Sequence, residues 1–331
     1  MKALVYTANE EMSYRDEPEP VVQPGDALVA VEAVGVCGSD LHAYLGHDER
    51  RVPPLILGHE AVGTVLEGRD RGQRVVLNPL ITCGVCEQCS RGRENLCSKR
   101  ELIGMRLAGA YAERIAIPEK NLIAVPDGMP SQHAALTEPA ATGLHAVALA
   151  ERIADRPWSE SRVLVFGAGS VGLSTALLLQ HKGVSEVTIV ETNPLRRSLV
   201  EQHCDLDVVD PLKQQLDPQA FDAVFDAVGG AVTRNQAIAA TKSGGVIMHI
   251  GLMDSDGPLA LRAMTLREIT FVGTYTYTPS EMSETLAKLH SGAFGRLGWI
   301  ETRLLEHGSE VFRDLVQGRC PSPKVILRTG K

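Results

Sequence analysis

Six residues, Gly167-Ala168-Gly169-Ser170-Val171-Gly172, follow directly on the apolar run Val163-Leu164-Val165-Phe166 and open a second apolar run. Glycines at this spacing between a strand and a helix suit a turn that brings backbone amides up to a pyrophosphate. Gly167 allows the tight turn, Gly169 lets the backbone approach the ligand, and Gly172 permits close packing of helix on sheet. The Ser170 and Val171 amides then face the phosphates with the helix dipole behind them. This context commits the second half of the chain to alternating strands and helices. Strands are predicted at 163–166, 186–191, 207–209, 222–226, 246–250 and 269–273, with helices at about 171–182, 194–203 and 232–241. Alternation at this spacing implies an α/β, doubly wound domain with a parallel sheet covered on both faces.

The strand after the glycine turn ends on Glu191, 24 residues beyond Gly167. An acid there would hydrogen-bond the adenosine ribose and repel a 2′-phosphate, which favours NAD over NADP. Arg196 and Arg197 follow and could instead tolerate a phosphate, so NADP stays open.

The first half reads differently. Short predicted strands at 3–7, 26–34, 61–67 and 74–77 are separated by Pro and Gly turn signals, which makes a β-rich domain. At 331 residues the chain is too long for one ordinary core, in keeping with two domains. No apolar run reaches the roughly 18 residues of a membrane span, and the start reads as a strand rather than a signal peptide, so a cytoplasmic location is expected. The net charge of -8, without any Lys/Arg cluster, argues against nucleic acid as a partner.

Cys83, Cys86, Cys89 and Cys97 form a C-x2-C-x2-C-x7-C array within fifteen residues. Four thiolates this close satisfy tetrahedral zinc and leave no open position, so this metal would be structural, holding a surface lobe together. Thiols that serve metals rather than disulfides fit a reducing compartment. A catalytic zinc needs three protein ligands and an open site. Cys37, in Gly35-Val36-Cys37-Gly38-Ser39-Asp40, and His59, in Gly58-His59-Glu60, are the candidates.

Taken in order, Cys-Gly-Ser-Asp-x-His, Gly-His-Glu-x-x-Gly, the four-cysteine lobe and Gly-x-Gly-x-x-Gly resemble the zinc-dependent medium-chain dehydrogenase/reductase (alcohol dehydrogenase) family over essentially the whole chain. Glu138-Pro139-Ala140-Ala141-Thr142-Gly143 is most similar to the polyol (sorbitol) and threonine dehydrogenase branches, with Glu138 where many alcohol dehydrogenases have a third cysteine ligand. The resemblance implies a GroES-like β-rich catalytic domain over 1–140 with its zinc lobe at about 80–100. It further implies a Rossmann NAD-binding domain over 141–276, and a segment 277–331 returning to the catalytic domain. It implies a catalytic zinc held by Cys37, His59 and an acid, with Glu60 direct and Glu138 direct or through water. It also implies a proton relay from Ser39 and His42, Thr142 beside the nicotinamide, Arg196 at the ribose, and a homodimer or homotetramer.

The reaction implied is hydride transfer between NAD(H) and a small secondary alcohol or polyol and its ketone. Zinc can bring a bound oxygen acid from near pKa 15.7 to about 7, on the order of 10 kcal/mol, which makes an alkoxide accessible at neutral pH. Ser39 suits the relay because a hydroxyl both donates and accepts, and His42 because it titrates near neutrality. Polyol dehydrogenases similar to this chain usually carry an Arg after the last Rossmann strand. The residues here are Gly273-Thr274-Tyr275-Thr276-Tyr277, while Arg106 lies just beyond the zinc lobe where the family lines its pocket. Two alternatives stand beside this reading: an NADP-dependent aldehyde reductase on the same scaffold, and a non-catalytic binding protein that kept the fold.

Overall fold

The computed structural model describes residues 1–330, which divide into two compact units. The first comprises Met1–Glu138, Thr278–Ser291 and the described residues from Ile300 on, and the second Pro139–Tyr277 and Gly292–Trp299.

The first unit is built around the strand Asp26–Gly35, which alternates half-buried and buried residues over most of its length. It pairs antiparallel with Glu60–Glu67, with Arg114–Pro118 and, at its far end, with Lys324–Arg328 from the end of the sequence. Arg74–Leu77 and Leu122–Ala124 extend the sheet on one side, and Ile300–Leu304 lies parallel to Lys324–Arg328 on the other. Val29, Val31, Val34, Leu57, Tyr111, Phe312 and Leu327 fill the core beneath. Register sets the chemistry. Gly35 lies opposite Glu60, and a Cβ at Gly35 would overlap Glu60 Oε2. The missing side chain is what lets the carboxylate fold back over the sheet.

The second unit holds six parallel strands in the order Asp207–Val209, Glu186–Val190, Arg162–Phe166, Phe221–Asp226, Thr241–His249 and Thr270–Gly273. By position in the chain this order is 3-2-1-4-5-6, the doubly wound arrangement of dinucleotide-binding folds. Helices Ser170–His181, Pro194–His203 and Ala231–Ala240 form the crossovers. One boundary differs from the sequence reading. The helix predicted to reach Thr241 stops at Ala240, and Thr241 enters the next strand, paired with Phe221. Its hydroxyl donates to Ala237 O at 2.7 Å, closing the helix end.

The glycine turn sits where the sequence put it, between Arg162–Phe166 and Ser170–His181. A Cβ on Gly172 would overlap the Gly167 carbonyl. Gly172→Ala should therefore lower stability by about 1–3 kcal/mol through overpacking, and it should weaken NADH binding. Denaturant midpoints and NADH fluorescence titration would check both, and unchanged values would show that the turn has slack.

Candidate active site and metal centres

The cysteine lobe hangs from a two-stranded ribbon, Leu80–Ile81 against Glu101–Leu102, which brings residues 82 and 100 together. Within it the Sγ atoms of Cys86 and Cys89 are 3.5 Å apart, those of Cys97 and Cys83 3.5 Å, and those of Cys83 and Cys89 4.0 Å. Four sulfurs around zinc at 2.3 Å would stand about 3.8 Å apart, so the donors are already spaced for the metal. All seven cysteines are free thiols. Backbone amides of Val85 and Cys86, with the Cys97 thiol, pull Cys83 down to about 6, which favours the thiolate that zinc requires.

In the same unit, Cys37, His59 and Glu60 each bring a ligand atom to within 4.8 Å of the others. Cys37 caps the short helix Gly38–Tyr44, which leaves the strand Asp26–Gly35, while Glu60 starts the neighbouring strand. Adjacent strands thus bring together residues more than twenty positions apart. His59 turns Nδ1 toward Asp40 Oδ1, 3.4 Å away, which leaves Nε2 as the nitrogen for a metal. Burial works against a charged imidazole there, but the Asp40 carboxylate and Cys37 outweigh it and hold His59 well above its ordinary value. Asp40 is itself fully buried. Burial would raise its pKa, yet His59, Arg51 and the Tyr111 hydroxyl, which donates to Oδ2 at 2.6 Å, bring it to about 2. A thiol, an imidazole and a carboxylate at this spacing match the donor chemistry of zinc.

Glu60 carries a further constraint. Lys324 Nζ reaches both of its oxygens, at 2.8 and 2.6 Å, and also donates to Val36 O at 2.9 Å. Both side chains are essentially unexposed. Each Glu60 oxygen thus already accepts one hydrogen bond, and a metal would have to share the carboxylate with Lys324. Glu138 is buried in the first turn of the helix Thr137–Glu151 and is not part of the tight three-residue set.

Ser39 stands beside the set, its hydroxyl donating to Cys37 Sγ at 3.4 Å. His42 is half-buried near the end of the same helix. Burial, with His47 and Arg51 nearby, lowers its pKa against the opposing pull of Asp48, so it is neutral at pH 7. Arg106 is exposed and pairs loosely with Glu101 at 3.7 Å.

In the second unit, Gly169 caps the helix Ser170–His181 with open space above it. The Ala168 amide donates to Glu191 Oε2 at 3.1 Å, which ties the glycine turn to the acid, and the Asn193 amide donates to Oε1 at 2.8 Å. Arg196 bonds Glu191 Oε2 at 3.2 Å. Arg197 is taken up by Asp210 at 2.7 Å and by the Glu191 and Thr192 carbonyls. Thr142 precedes Gly143, which packs directly on Thr175 of the glycine-turn helix. An open cap with a fixed acid beside it suits a dinucleotide.

Sequence reasoning assigned no role to Asp40, Tyr111, Arg51 or Lys324. Asp40 lay inside a motif already in view. Lys324 had one signal, a lysine opening the apolar run Val325-Ile326-Leu327.

Comparison with known proteins agrees with this construction. Residues 23–127 match the alcohol dehydrogenase GroES-like domain, and residues 170–291 match the zinc-binding dehydrogenase domain. The chain is 30% identical to L-galactonate-5-dehydrogenase of Escherichia coli K12, over 86% of each chain. It is likewise 30% identical to L-threonine 3-dehydrogenase of Mesorhizobium japonicum, over 87% of each. Among solved structures, acetophenone reductase from Geotrichum candidum in complex with NAD superposes with a TM-score of 0.87 at 28% identity, covering 99% of this chain and 96% of that one. The chain belongs to the zinc-dependent medium-chain dehydrogenase/reductase family and is an oxidoreductase acting on CH-OH donors. No described helix is long and apolar enough to cross a membrane.

Two outcomes are expected. Lys324→Met strands a buried carboxylate and should cost about 3–5 kcal/mol, much of it recovered in Glu60→Gln/Lys324→Met; denaturant midpoints of the three proteins check this. Cys97→Ser opens the lobe and should reduce bound zinc by about one per chain, with a lower melting temperature. Metal analysis and calorimetry would show whether the two losses occur together.

Proposed function

We propose that the protein is an NAD-dependent dehydrogenase with two zinc ions per chain, oxidising a secondary alcohol of a small polyol or related polyhydroxylated compound to its ketone. The observation that carries this is the tight set of Cys37, His59 and Glu60 with the Ser39 hydroxyl against it. Cys37 and His59 supply two donors, and Glu60 or Glu138 the acid. The grip of Lys324 on both Glu60 oxygens weighs toward Glu138. Zinc, when bound, supplies the Lewis acidity that makes an alkoxide accessible at neutral pH, and NAD accepts the hydride.

The remaining work belongs to the chain. Ser39 would accept the proton of the substrate hydroxyl and turn its own hydrogen from Cys37 Sγ to the ribose hydroxyl of the bound cofactor, which would hand a proton on to His42. Neutral His42, half-buried, carries a proton to solvent. Asp40 holds the His59 ring in one orientation. NAD is favoured because the Glu191 carboxylate is fixed beside the glycine turn, while Arg196 and Arg197 are both engaged by acids. Both guanidiniums thus already face carboxylates, which lowers the positive charge they offer a 2′-phosphate. Thr142 and Arg196 would contact the nicotinamide and ribose ends. The resemblance to L-galactonate-5-dehydrogenase supports a polyhydroxylated substrate. An edge strand, Thr270–Gly273, with one side unpaired supports a homodimer or homotetramer, and seven free thiols support a reducing, cytoplasmic setting.

The test pairs zinc analysis with NAD reduction on a panel of polyols, aldonic acids, threonine and simple secondary alcohols. About two zincs per chain and NAD-linked turnover on one class are expected. Cys37→Ser should abolish turnover yet leave NADH binding within about twofold. Turnover retained in that variant would remove Cys37 from the reaction, and a strong NADPH preference would overturn the reading of Glu191.

A further inference from the structure

Arg51 lies in the segment between the helix Gly38–Tyr44 and His59, and only 4% of it is exposed. Its guanidinium reaches three separate pieces of the first unit. Nε donates to Gly104 O at 2.9 Å, Nη1 to Asp48 Oδ2 at 2.6 Å and Ser39 O at 3.2 Å, and Nη2 to Ser39 Oγ at 3.2 Å. The first three bonds are what any buried arginine clamping loops together would make. The fourth is different, because it falls on the hydroxyl that the proposed reaction needs.

A serine hydroxyl has one hydrogen and two lone pairs. In this structure the hydrogen points to Cys37 Sγ, and one lone pair is occupied by Arg51, which has no proton to accept and none to lose. One lone pair remains. Rotating Ser39 about its Cα–Cβ bond would give up both bonds at once, so Oγ is held in one place before substrate arrives, while its hydrogen stays free to turn about the Cβ–Oγ bond to the next acceptor of the relay. Arg51 is itself fixed, because its planar fork is bound on three sides and it has almost no exposed surface through which to swing away. We infer that Arg51 is a positioning residue for the reaction: it holds the Ser39 hydroxyl so that its free lone pair is presented to the substrate O–H. It touches neither substrate nor cofactor and acts only through Ser39. A preset acceptor removes an orientational search from the proton transfer, and misplacement of such a group slows the chemical step rather than weakening binding.

The inference rests on the relay assigned to Ser39 above, and a four-member comparison separates the two. Wild type, Arg51→Gln, Ser39→Ala and the double variant are assayed for kcat and for KM of NAD and alcohol, with zinc content and melting temperature alongside. Arg51→Gln should lower kcat about tenfold with KM for NAD within about twofold, and in the Ser39→Ala background the same change should cost less than about twofold. Equal losses in both backgrounds would show that Arg51 is only a loop clamp and would overturn the inference. A Ser39→Ala enzyme with wild-type kcat would instead overturn the relay itself. A crystal structure of Arg51→Gln gives a readout independent of turnover. Ser39 Oγ should occupy more than one rotamer, and a single unchanged rotamer would count against the assignment. Should Arg51→Gln not fold, Arg51→Lys keeps the charge but has one ammonium in place of the fork. Its kcat loss should likewise vanish when Ser39 is alanine, and persistence of that loss would again overturn the inference.

Discussion

The Glu60 carboxylate is completely buried, and an unpaired charge in an apolar interior is costly against a domain's margin of stability. A cation must meet it, and the cation is Lys324, 264 residues away in sequence. The end of the chain therefore has to return to the first unit. It does so as the strand Lys324–Arg328, whose Ile326 pairs with Gly35, the glycine that makes room for Glu60. Charge pair and sheet register are one constraint seen twice, since a slip of one residue would swing Lys324 to the opposite face. The lysine also bonds the Val36 carbonyl, directly before Cys37. The same contact that neutralises Glu60 thus fixes the turn presenting the thiol.

Around that turn Asp40 gathers the polar groups, although its Oδ1 and His59 Nδ1 stand 3.4 Å apart without a formed hydrogen bond. Asp40 receives the Cys37 amide and the Tyr111 hydroxyl on one oxygen and faces His59 with the other. Burial alone would push this carboxylate toward its neutral form, and its cationic and hydroxyl partners reverse the sign. An acid held at about 2 stays ionised throughout the physiological range, so the carboxylate facing His59 keeps its charge there. Tyr111 in turn packs edge-on to Phe312. Orientation of the imidazole is thereby anchored in the hydrophobic core rather than in a flexible loop.

Features set by short-range pattern were legible in the sequence, and those set by long-range pairing were not. The glycine turn and its flanking strand and helix could be read because three glycines in six residues have few other uses, and the cysteine lobe because its four donors lie within fifteen residues. Helix Pro194–His203 has the bounds expected from sequence; in the structure a proline opens it and the Asn193 side chain accepts from the Leu195 and Arg196 amides. Thr241 was misplaced by one element because a threonine that closes a helix through its hydroxyl looks, in sequence, like one that continues it. Lys324 and Arg51 were invisible as partners for a different reason. A lysine or arginine reads as surface by default, and only the register of Asp26–Gly35 against the last strand, or the path of the loop after His47, turns either inward.

The two metal-donor sets differ in how they are built, and this bears on how they depend on each other. The cysteine lobe is local: a short ribbon closes it, and its sulfurs are spaced for a metal by a few turns of backbone. The Cys37 set is assembled from a helix cap, a strand start and, through Glu60, the end of the chain. Yet the ribbon that closes the lobe leads within two residues from Leu102 to Gly104, whose carbonyl holds Arg51, and Arg51 holds the Ser39 hydroxyl. One carbonyl and one guanidinium are thus all that separate the lobe's ribbon from the hydroxyl beside Cys37.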